Sequence, residues 1–301
     1  MIRIGVDFGG TKIEAAALDA EGRVQARVRA PSPGSYEASL EVVRDLIAEA
    51  ENAAGVTPTR NGGASIGIGI PGSPSPASGL IRNANTTHLN HKPLQADLER
   101  VLDRPVRLAN DANCFALSEA TDGAGADSDV VFGVIIGTGC GAGVTVGGRI
   151  LAGRNGIAGE WGHTPLPWPR PDELPGPDCF CGRRGCLENW ISGPAFARAH
   201  GTGESAEAIV RAALSGEPAA AASLEAYVDR LARGLAVIAD ILDPDVIVLG
   251  GGMSNVEVLY DRLPAAIGGY AFSDVFTTPV RKAAHGDSSG VRGAAWLWPL
   301  P

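Results

Sequence analysis

The chain has 301 residues, 45% of them hydrophobic and 20% charged, with a formal net charge of −9. That length admits two domains with substantial cores, and an acidic balance with no basic run argues against a nucleic-acid partner, because phosphate backbones are bound by concentrations of Lys and Arg. No stretch reaches the ~18 apolar residues of a membrane span, no charged leader opens the chain, and five cysteines with three at 179–186 speak for a reducing, cytoplasmic setting rather than a disulfide framework.

Residues 3–8 (RIGVDF), 13–18 (IEAAAL) and 23–29 (RVQARVR) read as three short strands separated by turn residues. Leu40, Val43, Leu46 and Ile47 recur at helical spacing, which predicts a helix over 35–55 ending in Gly. A buried strand at 64–72 (ASIGIGIPG) is stopped by Pro-Gly, and a helix at 92–103 has Pro93 in its first turn. The stretch RLANDANCFALSEA (107–120) then runs from a strand into a helix with Asn110, Asp111 and Asn113 packed at the junction. Helix capping accounts for such residues. So does a catalytic carboxylate held in a polar clamp at a strand end.

A second strand pair follows at 130–150 (VVFGVIIGTGCGAGVTVGGRI). Gly5, Val6 and Gly9 match its Gly133, Val134 and Gly137 at a constant offset, and EGRV (21–24) echoes GGRI (147–150), which predicts two halves on one plan. From 160 to 187 the chain is irregular, with six prolines from Pro165 to Pro177. A loop that long inside a compact fold needs something to hold it. Helices are predicted at 188–200, 204–215 and 219–242, the last with an apolar stripe from Leu224 to Leu242. A buried strand opens into three glycines at 245–252, and SGVRGAAWLW near the end is helix-like. Strand-then-helix order throughout gives an α/β class.

Three glycine clusters stand at strand ends: Gly9-Gly10-Thr11-Lys12, Gly137-Thr138-Gly139 and Gly250-Gly251-Gly252. Glycine there lets backbone amides approach phosphate oxygens, and Thr or Lys adds a donor. GVDFGGTK departs from a P-loop in residue order, and GIGIPG lacks the helix-opening context of a dinucleotide site. Asp7, inside an apolar strand, is costly to bury without a partner. Either nucleotide-borne Mg²⁺ or the turn amides of residues 9–11 would serve, and the matching position in the second half is Ile135. Cys179, Cys181 and Cys186 in C-x-C-x₄-C spacing, with His163 across the proline-rich loop, form the donor set of a closed, structural zinc shell that would pin residues 164–178. Cys114 and Cys140 read as packing residues.

DFGGTK, NDAN, IIGTGCGAG, GEWGH, CFCGRRGCLE and DPDVIVLGGG together resemble the ROK family of bacterial sugar kinases, over residues 4 to 252. NANTTHLN (83–90) and HGDSSGVRGAAWLWP (285–299) resemble its fructokinase branch in particular. The resemblance implies an actin/hexokinase-like fold of two ribonuclease-H-like α/β domains around a cleft. Residues 1–116 would form the small domain, with a helix at 289–301 packing back on it, and residues 117–288 the large one, with the zinc-bound loop at 160–188. It further implies Asp111 as catalytic base and Asn85, Asn110, Glu160, His163 and Glu188 as sugar contacts, His163 also serving zinc. Gly9, Gly10, Thr11, Lys12, Gly137, Thr138, Gly139, Gly251 and Gly252 would hold ATP, with Mg²⁺ at Asp7. The implied reaction is phosphorylation of a hexose at its 6-hydroxyl, fructose first and mannose second, by a homodimer. N-acetylglucosamine or glucose is the alternative acceptor. The family's sugar-sensing repressors carry a DNA-binding segment ahead of the kinase-like part, for which a glycine turn at residue 9 leaves no room.

Overall fold

The structure is a computed structural model and describes residues 2–57 and 63–298. In chain order its elements are β1 (Arg3–Phe8), β2 (Lys12–Leu18), β3 (Val24–Pro31), α1 (Tyr36–Ala53), β4 (Ser65–Ile70), β5 (Ser73–Pro74), β6 (Ile81–Arg82), α2 (Leu94–Leu102), β7 (Val106–Asn110) and α3 (Asp111–Asp122). There follow β8 (Val130–Ile136), β9 (Cys140–Val146), β10 (Arg149–Ile150), α4 (Glu188–Ile191), α5 (Gly193–His200), α6 (Ala206–Leu214), α7 (Pro218–Leu242), β11 (Val246–Gly250), α8 (Val258–Gly268), β12 (Val280–Lys282) and α9 (Ser289–Ala295).

Two five-stranded sheets carry the fold, in the orders β3-β2-β1-β4-β7 and β10-β9-β8-β11-β12. In the first, β1 lies antiparallel to β2 and parallel to β4, which is parallel to β7. In the second, β11 is parallel to both β8 and β12. The predicted duplication is therefore a repeat of topology: a strand, a glycine turn and a returning strand open each sheet, and two crossovers complete it. Chain contacts divide the molecule into a unit of Met1–Ala126, Gly143–Ala158 and Ala284–Pro301, and a unit of Asp127–Ala142 and Gly159–Ala283.

In the first unit the strand residues alternate between two kinds of packing. Ile4, Val6, Phe8, Ile66, Ile68 and Ile70 join Leu40, Val43, Leu46 and Ile47 of α1 and Leu94 and Leu98 of α2 in one buried core. Each such side chain contributes roughly 1.5–3 kcal/mol of burial. On the opposite face, glycine stands at the points where α9 lies directly on the strands. A Cβ at Gly5 would stand 1.9 Å from the Val291 carbonyl oxygen, and one at Gly67 would stand 1.9 Å from that of Ala294. The GIGIG rhythm is thus a helix seat on one side and an aliphatic core on the other.

In the second unit Leu224, Tyr227, Val228, Leu231 and Leu235 of α7 are buried as their spacing predicts. The region expected as one helix over 188–200 is two, because Ser192 breaks it: its hydroxyl caps α5 by accepting from the Ala195 amide, and Pro194 sits in the first turn. α8, with Pro264 inside it, went unread in the sequence. The C-terminal helix ends at Ala295, and the last three of its expected residues, 299–301, lie outside the described residues. No helix among the described residues is long and apolar enough to cross a membrane.

Candidate active site

β7 delivers Asn110 and α3 begins at Asp111, so the junction is where a strand end meets a helix start. Asn110 caps that helix: its Oδ1 accepts from the amides of Ala112 (2.9 Å) and Asn113 (3.3 Å), while its Nδ2 donates to the Gly72 carbonyl (3.1 Å). The cap falls to Asn110, and the Asp111 carboxylate, which accepts the Ala112 amide at 2.8 Å, belongs to an exposed residue at the first turn.

Asp7, at the end of β1, shares this neighbourhood. Burial first, then the negative charges of Asp111 and Glu14, push its carboxyl up to about 6. None of the described residues donates a hydrogen bond to it, the turn amides of residues 9–11 included. A carboxylate set among carboxylates without a donor is the environment a hard cation would stabilise. In the β1–β2 turn, Gly10 stands beside Thr86, where a Cβ would be 3.3 Å from the Thr86 hydroxyl, and Thr86 in turn donates weakly to Asn85 (3.4 Å). Lys12 is paired with Glu14 at 3.5 Å, so its ammonium is partly committed within the fold.

The second unit supplies two further features. A cavity of about 560 Å³ is lined by Gly137, Thr138 and Gly252 from the glycine turns, together with Gly193, Pro194, Ala197, Val210 and Met253. Its size and apolar walls suit a flat heterocycle. Gly251 has φ +79°, and a Cβ there would be 2.5 Å from the Ile136 carbonyl, so this turn accepts glycine alone. The walls from α5 and α6 were not read in the sequence, although Ser-Gly-Pro at 192–194 is a helix-start signal whose Gly193 amide bonds the Gly137 carbonyl (3.0 Å).

The donor atoms of His163, Cys179, Cys181 and Cys186 lie within 4.8 Å of one another. The Cys181 and Cys186 sulfurs are 3.7 Å apart, and Cys179 Sγ is 3.6 Å from His163 Nδ1. A tetrahedral shell with Zn–S bonds of about 2.3 Å has S···S edges of about 3.7 Å, so the group fits a zinc-sized metal. Glu188, two residues after Cys186, opens α4, and its Oε2 accepts the Cys140 amide (3.0 Å) beside Gly139, where a Cβ would approach that oxygen to 2.7 Å. Glu160 precedes the short turn Trp161–His163 and is exposed, while Trp161 is buried edge-on against Phe132 (centroids 5.6 Å apart).

The proline-rich loop has a second anchor. The Glu173 carboxylate accepts from Arg233 (2.7 and 2.9 Å), Arg230 (2.8 Å) and the Arg170 amide (2.9 Å). Arg233 also donates to the carbonyls of Pro167 and Trp168.

The chain is 42% identical over 302 residues, 97% of each protein, to an N-acetyl-D-glucosamine kinase of Yersinia pseudotuberculosis, and 40% identical with the same coverage to one of Pectobacterium atrosepticum. Among solved structures it is similar to a ROK hexokinase from Thermus thermophilus (34% identity, TM-score 0.85, covering 98% of this chain and 97% of that one). It is also similar to a ROK family glucokinase from Streptomyces griseus solved with glucose and AMPPNP (30% identity, TM-score 0.78, covering 99% of each). These neighbours share the actin/hexokinase-like fold anticipated above. The family model of the ROK family matches residues 3–300, and the chain belongs to that family.

Proposed function

We propose that the protein transfers the terminal phosphate of ATP to the 6-hydroxyl of a hexose, with N-acetylglucosamine the preferred acceptor. The observation that carries the chemistry is the placement of Asp111 at the junction where β7 meets α3, on an exposed first turn that Asn110 caps. A sugar hydroxyl is a poor nucleophile, and a carboxylate within hydrogen-bond reach takes its proton as attack proceeds. Asn110 fixes the turn without adding negative charge near an approaching triphosphate. The backbone of Gly137–Gly139 and Gly251–Gly252 would hold the nucleotide, and the cavity walled by α5 and α6 its base. Gly9, Gly10, Thr11 and Lys12 would face its phosphates. Asp7 would hold Mg²⁺, which when bound neutralises charge on the transferred phosphoryl group. Glu160, His163, Glu188 and Asn85 would hold the other sugar hydroxyls, and zinc would occupy the His/Cys cluster.

The choice of sugar rests on a different footing. The expectation of fructose came from two short stretches, 83–90 and 285–299. The N-acetylglucosamine reading is supported by similarity along 97% of the chain to proteins of that name, and it replaces fructose as the preferred acceptor. An assay of ADP release across N-acetylglucosamine, glucose, mannose and fructose tests it, with kcat/KM expected highest for N-acetylglucosamine. A higher value for fructose overturns the sugar assignment. Turnover of none of the four overturns the kinase reading.

A further inference from the structure

The first unit has a cavity that the proposed chemistry does not use. It encloses about 430 Å³ and is walled by Arg107, Arg149, Trp296, Leu117, Ile150 and Leu297. Because β1, β4 and β7 run parallel, their starts lie together at one edge of the sheet, and Arg107, second residue of β7, stands at the end opposite Asp111. The rise from residue 107 to residue 111 along a strand is roughly 13 Å.

Several of the donors gathered there have no acceptor among the described residues. Arg149 is exposed, its side chain in no ion pair or hydrogen bond among the described residues. Arg107 gives one bond to the Leu297 carbonyl (2.7 Å) and stacks on Trp298 at 4.3 Å, with no carboxylate partner among the described residues. The Trp296 indole N–H is buried and unbonded. Behind the Trp296 wall lies Arg3, 1% exposed, its guanidinium 5.0 Å from the indole centroid and all three of its nitrogens unbonded. Burial of a guanidinium without a counter-charge is among the costliest arrangements in a protein. The acidic side chain of α3 in this neighbourhood, Asp122, is committed to Arg292 and to His285 (3.0 Å). In a chain of net charge −9, this is a concentration of uncompensated positive charge around an aromatic wall.

We propose that this cavity binds a phosphate monoester whose organic part packs on Trp296. Guanidinium forks match phosphate oxygens, and an anion here would supply the acceptors that Arg149 and Trp296 lack, with Arg3 adding positive charge from behind the indole. The volume lies in the small-molecule range, and Leu117, Ile150 and Leu297 give an ester's body an apolar surface.

Calorimetric titration of the intact protein with phenyl phosphate, inorganic phosphate and phenol tests the site. Phenyl phosphate is expected to bind one-to-one, inorganic phosphate more weakly and phenol not at all. Arg149→Ala is expected to weaken phenyl phosphate at least tenfold while leaving sugar-phosphorylation kcat unchanged, because Arg149 touches none of the proposed catalytic residues. Arg3→Met is expected to raise the melting temperature without ligand, by removing an unpaired buried charge, and to weaken phenyl phosphate as well. Absence of binding at 10 mM-scale phenyl phosphate, or equal affinity in wild type and Arg149→Ala, overturns the site. Inorganic phosphate binding as tightly as phenyl phosphate overturns the role given to Trp296. None of these outcomes depends on the kinase reading, since binding is measured without sugar or nucleotide.

Discussion

Replacing Glu173 by Gln tests the claim that an ion-pair cluster holds the proline-rich loop. Glu173 is 4% exposed and Arg233 1%, so the substitution leaves a buried guanidinium without its main counter-charge. Burial alone would raise the Glu173 carboxyl; the hydrogen bonds from Arg233, the Arg170 amide and Arg230 outweigh it and hold the group at about 2. Against an ordinary value of 4.5, that depression corresponds to roughly 3 kcal/mol. Breaking a buried pair from one side typically costs about 3–5 kcal/mol, so two routes agree on about 3 kcal/mol for Glu173→Gln near neutral pH. The folded carboxyl titrates below its unfolded value, so its contribution is complete above pH 4.5 and disappears as pH falls towards 2. The gap between wild type and Glu173→Gln should narrow in that window. Urea unfolding across pH, with hydrogen exchange of residues 165–178, measures both, and Glu173→Leu with Arg233→Met should recover most of the loss by removing both charges. A Glu173→Gln protein within 0.5 kcal/mol of wild type at pH 7, or a gap indifferent to pH below 4.5, would refute the reasoning.

Three other substitutions probe separate parts of the molecule. Asp111→Asn should keep its fold and its nucleotide affinity yet lose on the order of 10³-fold or more in kcat, read by steady-state ADP release; near wild-type turnover would remove Asp111 as base. Gly5→Ala puts a methyl group 1.9 Å from the Val291 carbonyl, a backbone atom that cannot swing aside, and should cost at least ~3 kcal/mol in thermal or urea unfolding. Metal analysis after purification in metal-free buffer should find one zinc per chain, falling below half an equivalent in Cys181→Ser; a full equivalent in that variant would show the metal to be held elsewhere.

Sequence patterning made the class, the duplicated plan and most elements legible, because period-two apolar runs and the 3.6-residue stripes of α1 and α7 reflect burial that the structure retains. The capped junction at Asn110–Asp111 and the His/Cys cluster were legible for a local reason: their signals are written in neighbouring residues. What escaped notice was set by contacts distant in sequence. Gly5 and Gly67 are separated from the helix they seat by more than two hundred residues, and nothing near them announces it. The Glu173–Arg233 pair likewise joins a loop to a helix sixty residues on, and each partner alone looks like a solvated charge. The break at Ser192 is a different failure, since Ser-Gly-Pro was readable as a helix start and the apolar run around it masked the signal.

Duplication gives the two halves one scaffold, and single positions then separate their chemistry. At the register position where the first half has Asp7, the second has Ile135. In the first half the strand end therefore presents a carboxylate that burial and its acidic neighbours make expensive to keep ionised, against the smaller opposing pull of Lys12. In the second half the same turn, relieved of charge, is free to wall an apolar cavity with Gly137, Thr138 and Gly252. The asymmetry at positions 7 and 135 sits within an otherwise repeated topology, and strand order alone, which is the same in both sheets, does not say which half carries the acid.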